Sequence, residues 1–391
     1  MFSSRLDWDA HPNRLAQSIA RKHNAGTRIL DLTESNPTRA GFHYPLDVAR
    51  AFADSRMLVY DPRPRGAAAA RAAVAEYYAA RGGQVSPERI LLTASTSEAY
   101  AYLFKLLANA GDQVLVPRPS YPLFEYLAKL ESVEARQYPL VYHGGWSIDL
   151  EGLERALTGR TRAIVLVNPN NPTGSYVKRA ELDALTQIAA GRGIALIADE
   201  VFADYPLAQD PGRVSTLVSV ESCLAFSMSG LSKVAGLPQM KLGWIVAAGP
   251  QALRDEALRK LEWIADTYLS VGTPVQCAAA ELLRAGEHVA RQIRERTAAN
   301  LGWAREALAG SAAGILAVEG GWYATVQPPR VRSEEEWALE LLERHDVLVQ
   351  PGFFYDFETE AFLVVSLITA PEIFREGVVR LKTLLAADQR R

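Results

Sequence analysis

Ala163-Ile164-Val165-Leu166-Val167-Asn168-Pro169-Asn170-Asn171-Pro172-Thr173-Gly174 begins as an uninterrupted apolar run and ends in two X-Pro pairs and a glycine. Five consecutive apolar residues suit a strand buried on both faces of a parallel sheet, and the X-Pro pairs force extended or turn geometry directly after it. Comparable runs stand at 90–92, 114–116, 194–198 and 244–247. Helical patterns at 98–109 and 178–192 lie between them, which is the alternation of an α/β layer domain with a large, mostly parallel sheet flanked by helices. After Gly249 the helical patterns lengthen (251–266, 287–308), with strand candidates near 317–327 and 362–367, so the tail reads as a smaller α+β unit. The expected division is a large α/β domain over 48–285 and a small α+β domain made of 1–47, as an N-terminal arm, with 286–391. The arm has no core of its own and is expected to pack on the tail or reach a neighbouring subunit. The Ala/Arg-rich stretch 66–81 reads as a helix.

The composition narrows the function. Among 391 residues, 49% are hydrophobic and 22% charged, which excludes disorder and provides an extensive core. Lys plus Arg number 42 against 45 Asp plus Glu, a formal charge of -3, so no basic excess points to nucleic acid or an anionic membrane. Cys223 and Cys277 cannot make a disulfide framework or a Cys-rich zinc site, and both are expected to be buried apolar thiols. The first nine residues are broken by Arg5, Asp7 and Asp9, and no apolar run approaches the roughly 20 residues of a membrane helix. A cytoplasmic protein with a small-molecule partner is expected.

Four short motifs carry chemistry. Thr93-Ala94-Ser95-Thr96-Ser97-Glu98 follows a strand and opens a helix, where free amide N–H groups and small hydroxyls seat an anion; the same residues also serve as ordinary N-caps. The turn 168–174 ends its strand at the carboxyl edge of the sheet. Asp199 closes the run 194–198 at that same edge, where open α/β sheets bind ligands. Ser227-Met228-Ser229-Gly230-Leu231-Ser232-Lys233 sets a lysine among small residues, a setting in which an amine can be desolvated and act as a nucleophile. No nucleotide-binding glycine loop occurs in the chain.

In this order, from about residue 30 to the C-terminal helix, the motifs resemble the pyridoxal-phosphate-dependent aminotransferases of fold type I, the class I/II family. The resemblance implies that Lys233 forms a Schiff base with pyridoxal 5′-phosphate and shuttles a proton between the substrate Cα and the cofactor. It implies that Asp199 pairs with the pyridine nitrogen, Asn171 bonds the ring hydroxyl, Tyr121 stacks on the ring, Thr96 and Ser97 cradle the phosphate, and Tyr60 reaches the phosphate of the other subunit. A homodimer with shared active sites follows from the last match. The implied activity is ping-pong transfer of an amino group between an amino acid and a 2-oxo acid, the alternatives being a lyase or amino-acid oxidase on the same fold and, last, a non-catalytic cofactor-binding sensor.

The chain also departs from the family pattern. Lys241 replaces the usual phosphate arginine eight residues after the lysine, keeping the charge but not the bidentate fork. Gly230 stands where a phosphate-binding serine is usual, with Ser227 or Ser229 as candidate substitutes. Phe202 replaces a tyrosine on the ring hydroxyl, and Ser35-Asn36 replaces the usual Gly-x-Pro approach to the substrate. In Phe362-Leu363-Val364-Val365-Ser366-Leu367, Val364 occupies the position of the arginine that clamps the substrate α-carboxylate. Arg39 is the nearest candidate to replace that clamp; otherwise the substrate is held in another way. The preferred expectation is an α-amino acid with a relocated carboxylate contact.

Overall fold

The computed structural model describes residues 1–8 and 11–388. After a short strand β1 (Leu30–Asp31), eight strands form the central sheet: β2 (Ile90–Thr93), β3 (Gln113–Arg118), β4 (Glu134–Tyr142), β5 (Trp146–Ile148), β6 (Thr161–Val167), β7 (Ala195–Asp199), β8 (Ala225–Gly230) and β9 (Gly243–Ala248). Their spatial order is β2-β9-β8-β7-β6-β3-β4-β5. From β8 through β4 all neighbours are parallel, while β9 lies antiparallel between β2 and β8, and β5 closes the far edge as an antiparallel strand. The continuous apolar runs have a simple cause. Ala163, Val165 and Val167 pack into one apolar cluster and Ile164 and Leu166 into another, so helices cover both faces of β6 and neither face needs polar residues. β7 divides in the same way, with Ala195 and Ile197 on one side and Leu196 and Ala198 on the other.

The expected helices form at Ala68–Ala79, Thr96–Leu107, Arg179–Arg192 and Gln251–Tyr268. The last of the long patterns belongs to a helix that begins earlier than expected and runs over Thr273–Leu308. Its first half packs Ala278, Ala279 and Leu282 against Leu92 and Trp244 beneath the central sheet, and its end packs Leu301, Ala304 and Leu308 into the tail. The chain therefore passes position 285 in mid-helix.

The tail builds a small antiparallel sheet from β10 (Gly314–Ile315), β11 (Tyr323–Gln327), β13 (Gln350–Pro351) and β14 (Leu363–Ser366), ordered β10-β11-β14-β13, with β12 (Val347–Leu348) apart from it. β12 pairs in parallel with β1 through Leu30 and Val347. Leu15, Leu30 and Leu32 bury in the tail core with Trp337, Leu363 and Phe374, so the N-terminal segment finds its core in the tail. Cys223 is buried as expected, but Cys277 is only partly covered, on the outer side of the Thr273–Leu308 helix. Among the described residues no helix is long and apolar enough to cross a membrane.

Candidate active site

The carboxyl ends of β2, β3, β6, β7 and β8 open onto one cavity of about 370 Å³. Thr96, Ser97, Tyr121, Asn171, Asp199, Lys233 and Lys241 all line it. The strand that carries Lys233 reaches further than the sequence suggests: Ser227–Gly230 belong to β8 itself, and Lys233 sits in the single helical turn Leu231–Val234 that follows.

The Lys233 amine is walled in. Its Nζ lies 4.7 Å from the centre of the Trp322 indole and 5.7 Å from the Phe202 ring, both within cation–π range. Burial pulls its pKa down from 10.5 to about 8, opposed by attraction to Asp199. The Tyr205 hydroxyl donates to the Lys233 carbonyl, fixing the backbone from below. Asp199 shows the mirror effect. Burial pushes its carboxyl up from 3.8 to about 6, against the Val201 N–H, the Tyr100 hydroxyl and Lys233, which all favour the anion. The Val201 and Tyr100 contacts are both 3.2 Å.

The anion seat is the start of the Thr96–Leu107 helix. Ser95 caps it by accepting from the Glu98 N–H, and Glu98 accepts from the Ala94 N–H, which leaves the first-turn amides of Thr96 and Ser97 at the cavity as the free donors of a helix start. Lys241 stands beside them because β9 begins at Gly243, paired with Thr93 on one side and Gly230 on the other. Its φ of 53° places it in the left-handed region just before that strand.

The departures from the family pattern have local explanations. A Cβ on Gly230 would meet the Leu242 carbonyl oxygen at 2.9 Å and Gly243 Cα at 3.0 Å, so the close approach of β8 and β9 excludes a serine there. Neither expected substitute replaces it. Ser227 donates to Glu200 at 2.9 Å and Ser229 is buried without a partner, and neither lines the cavity, whereas Ser232 does. Val364 is fully buried in an aromatic cluster with Phe202, Trp322, Tyr323 and Tyr355. Arg39 is exposed, on the turn after Asn36, and does not line the cavity; the expectation that it takes over the carboxylate contact is corrected, since Pro37 and Ala40 are the residues of that turn that face inward. Tyr60 is 76% exposed and lines a separate small cavity with Arg63 and Gln276, so one chain alone does not bring it to this site.

Sequence reasoning missed Tyr100, Trp322, Tyr323 and Glu200. Tyr100 had a signal, because it lies one helical turn after Thr96 and shares its face. The others had none: Trp322 and Tyr323 come from the distant tail, and Glu200 points away from the cavity. It is fully enclosed below Asp199, where it accepts from Thr216 Oγ1 at 2.7 Å, the Leu217 N–H at 2.8 Å and Ser227, and burial pushes its carboxyl up to about 7.

These groups fit pyridoxal 5′-phosphate on their own chemistry. A seat of amides, hydroxyls and Lys241 suits the phosphate. A desolvated carboxylate suits a protonated ring nitrogen, and a desolvated amine suits the aldehyde. The Asn171 side chain, 7% exposed with its Oδ1 buried and unpartnered, is free to serve the ring hydroxyl.

Comparison with known proteins agrees with this chemistry. The chain is 31% identical over 269 residues to the glutamate-pyruvate aminotransferase AlaA of Escherichia coli K12, covering 66% of this chain and 64% of that protein. It is 29% identical over 273 residues to an alanine aminotransferase of Mycobacterium tuberculosis, covering 67% and 62%. The matched region thus spans less than two thirds of these relatives' length. An alanine aminotransferase from Pyrococcus furiosus superposes with a TM-score of 0.88 over 99% of this chain and 100% of that one at 21% identity. An Escherichia coli aminotransferase gives 0.85 over 99% and 98% at 24% identity. Both establish the fold-type-I architecture. The family profile described as aminotransferase class I and II matches residues 27–375, and the chain belongs to that family of pyridoxal-phosphate-dependent enzymes.

Proposed function

We propose that the protein is an aminotransferase that moves an amino group between an amino acid and a 2-oxo acid in two half-reactions. The observation that carries this reading is the desolvated Lys233 amine, in the wall of the same cavity as Asp199 and the anion seat. When bound, the cofactor supplies an aldehyde for amines and a protonated ring that accepts an electron pair.

The chain's own residues supply the rest. The Asp199 carboxylate would hold a proton on the ring nitrogen of the bound cofactor. Thr96, Ser97 and Lys241 would hold the phosphate, and Asn171 and Tyr121 the ring. Burial lowers the Lys233 pKa to about 8, so its neutral amine, the form that takes the proton from the donor Cα and delivers it one atom further along, is far easier to reach near neutral pH than for an exposed lysine. Trp322, Phe202 and the Tyr205 anchor keep that amine on one side of the cavity and out of water. Nothing in the cavity favours the lyase or oxidase outcomes over this one.

The working unit is a homodimer in which Tyr60 completes the partner's phosphate seat. Supporting this, Leu58, Val59, Tyr60, Tyr268 and Leu269 are exposed apolar side chains, and Tyr60 and Leu269 wall the same small cavity. For the division into 48–285 and 1–47 with 286–391, the support is that the N-terminal arm and the tail share one core, although a further cluster with Phe42, Phe202 and Trp322 joins the two parts; the cytoplasm is the proposed compartment.

Borohydride treatment of the yellow holoprotein tests the central assignment: the cofactor should become fixed to a peptide containing Lys233. Fixation at Lys241 would refute it. Conversion of the visible band by single amino acids tests the transfer itself, and release of ammonia or uptake of oxygen in its place would move the assignment to the rival chemistries.

A further inference from the structure

The end of the cavity around Tyr323 gathers Ser35, Tyr121 and Phe202, and Leu123 and Phe124 line the same cavity. The polar side-chain atoms of that end are hydroxyls. Burial keeps the Tyr323 phenol well above its ordinary range, so it remains a neutral hydroxyl. Among the described residues that line the cavity, Lys233 and Lys241 are the cations; the first is occupied as the nucleophile and the second stands at the anion seat. No cation remains for this end.

Tyr121 and Phe124 are also walls of a second, outer cavity of about 650 Å³. Tyr126, Phe353, Phe354 and Tyr355 add four more aromatic rings to it. Its lining charges are Glu125, Glu134 and Asp356 against Lys129, with Arg160 3.5 Å from Glu134 and Arg118 donating to the Asp356 carbonyl, so the acidic lining gives a second carboxylate little to bind. Lys129 does not offset this freely, since its Nζ donates to the Asp7 carbonyl at 2.8 Å and lies 5.9 Å from the Trp8 ring centre. An apolar body gains by leaving water among these rings, while an anion finds neither guanidinium nor free ammonium among the lining residues.

We propose that the amino donor is an aromatic or other bulky apolar amino compound, recognised at the Tyr121–Tyr323 end by its side chain, with its carboxylate contributing little to binding. For the reaction this rests on the aminotransferase reading; for binding it stands alone.

The test titrates the holoprotein with four compounds that lack an amino group: hydrocinnamate, hydrocinnamyl alcohol, propanoate and succinate. Binding is followed calorimetrically and by the shift of the cofactor's visible band. Hydrocinnamate and its alcohol should bind within about tenfold of each other, since no charge-assisted partner rewards the carboxylate. Propanoate and succinate should bind at least about tenfold more weakly than hydrocinnamate, because the ring burial is lost. A preference for hydrocinnamate over the alcohol of more than about tenfold would overturn the proposal, including the case where a second copy of the chain brings in an arginine. Succinate binding as tightly as hydrocinnamate would overturn it too. A half-reaction comparison separates the two readings. Faster transfer from L-aspartate or L-glutamate than from L-phenylalanine removes this proposal alone. Tight hydrocinnamate binding without transfer from any amino acid leaves it standing and removes the aminotransferase reading.

Discussion

Replacing Asp199 by asparagine should make the cofactor-free protein more stable and the cofactor-bound protein less so. In the folded chain, burial raises this carboxyl from 3.8 to about 6. At 1.36 kcal/mol per pH unit, that is a penalty of ~3 kcal/mol carried by the cofactor-free fold at pH 7. Asparagine removes the charge but weakens the bonds from the Val201 N–H and the Tyr100 hydroxyl, which returns ~1 kcal/mol, so the net gain is ~2 kcal/mol. The pH dependence follows from the sign of the shift. A carboxyl whose pKa is raised in the fold binds its proton more tightly folded than unfolded. The penalty is therefore full above about pH 6, falls to roughly half at pH 5 and vanishes below the unfolded value. With cofactor bound, the carboxylate faces a cation, and removing one partner of such a pair costs ~3–5 kcal/mol. Urea unfolding of both proteins, with and without cofactor, at pH 5 and pH 7, reads the whole pattern. If the cofactor-free variant unfolds at lower urea than the wild type at pH 7, or if their difference is the same at both pH values, Asp199 is not the strained anion described above.

Other substitutions probe neighbouring parts of the site. Gly230→Ser, which restores the hydroxyl usual in the family, should cost ~1–3 kcal/mol in thermal unfolding because β8 and β9 must part; it should weaken cofactor binding rather than improve it. Trp322→Ala should cost ~3–5 kcal/mol in urea unfolding, while Trp322→Phe keeps most of the stability and an aromatic face for Lys233. Tyr60→Phe should keep the dimeric mass in sedimentation but weaken cofactor binding by ~1.5–3 kcal/mol, and a monomeric wild type at micromolar concentration would contradict the shared site.

The central sheet was legible because its strands are buried on both faces. β2, β3, β6, β7 and β9 announce themselves as unbroken apolar runs, although β9 runs antiparallel to both its neighbours. β4 and β5 gave no such signal, since they close the sheet at its edge with half-exposed, mixed residues such as Glu134, Arg136 and Gln137. The tail was harder for a different reason. β10, β12 and β13 are two residues each, shorter than any periodicity can register, and are held by pairing with distant partners rather than by local preference. The long Thr273–Leu308 helix was read only in its second half because its first half is rich in alanine, which carries little amphipathic contrast.

At the site, what the sequence revealed and what it hid divide along contact distance in the chain. Lys233, Asp199, Asn171, Thr96 and Ser97 each follow a strand of the central sheet, and the sheet's carboxyl edge gathers them with no help from the tail. The lysine's surroundings are another matter. Its aromatic walls are Phe202, from the strand-end segment, and Trp322, about ninety residues after the lysine. Trp322 reaches it through the connector 319–322, where the Glu319 and Gly320 amides both bond the Gly174 carbonyl and the Gly321 amide bonds the Tyr205 carbonyl. The tail is thus tied to the Asn171 turn and to the Lys233 anchor at once. The same connector leads into Tyr323, which faces the donor end, and pairs β11 beside Val364. One segment therefore meets the Lys233 amine, the Asn171 turn and the Tyr323 end of the cavity at once. Local motifs do not encode that coupling, since it resides in backbone hydrogen bonds between parts of the chain that are far apart in sequence.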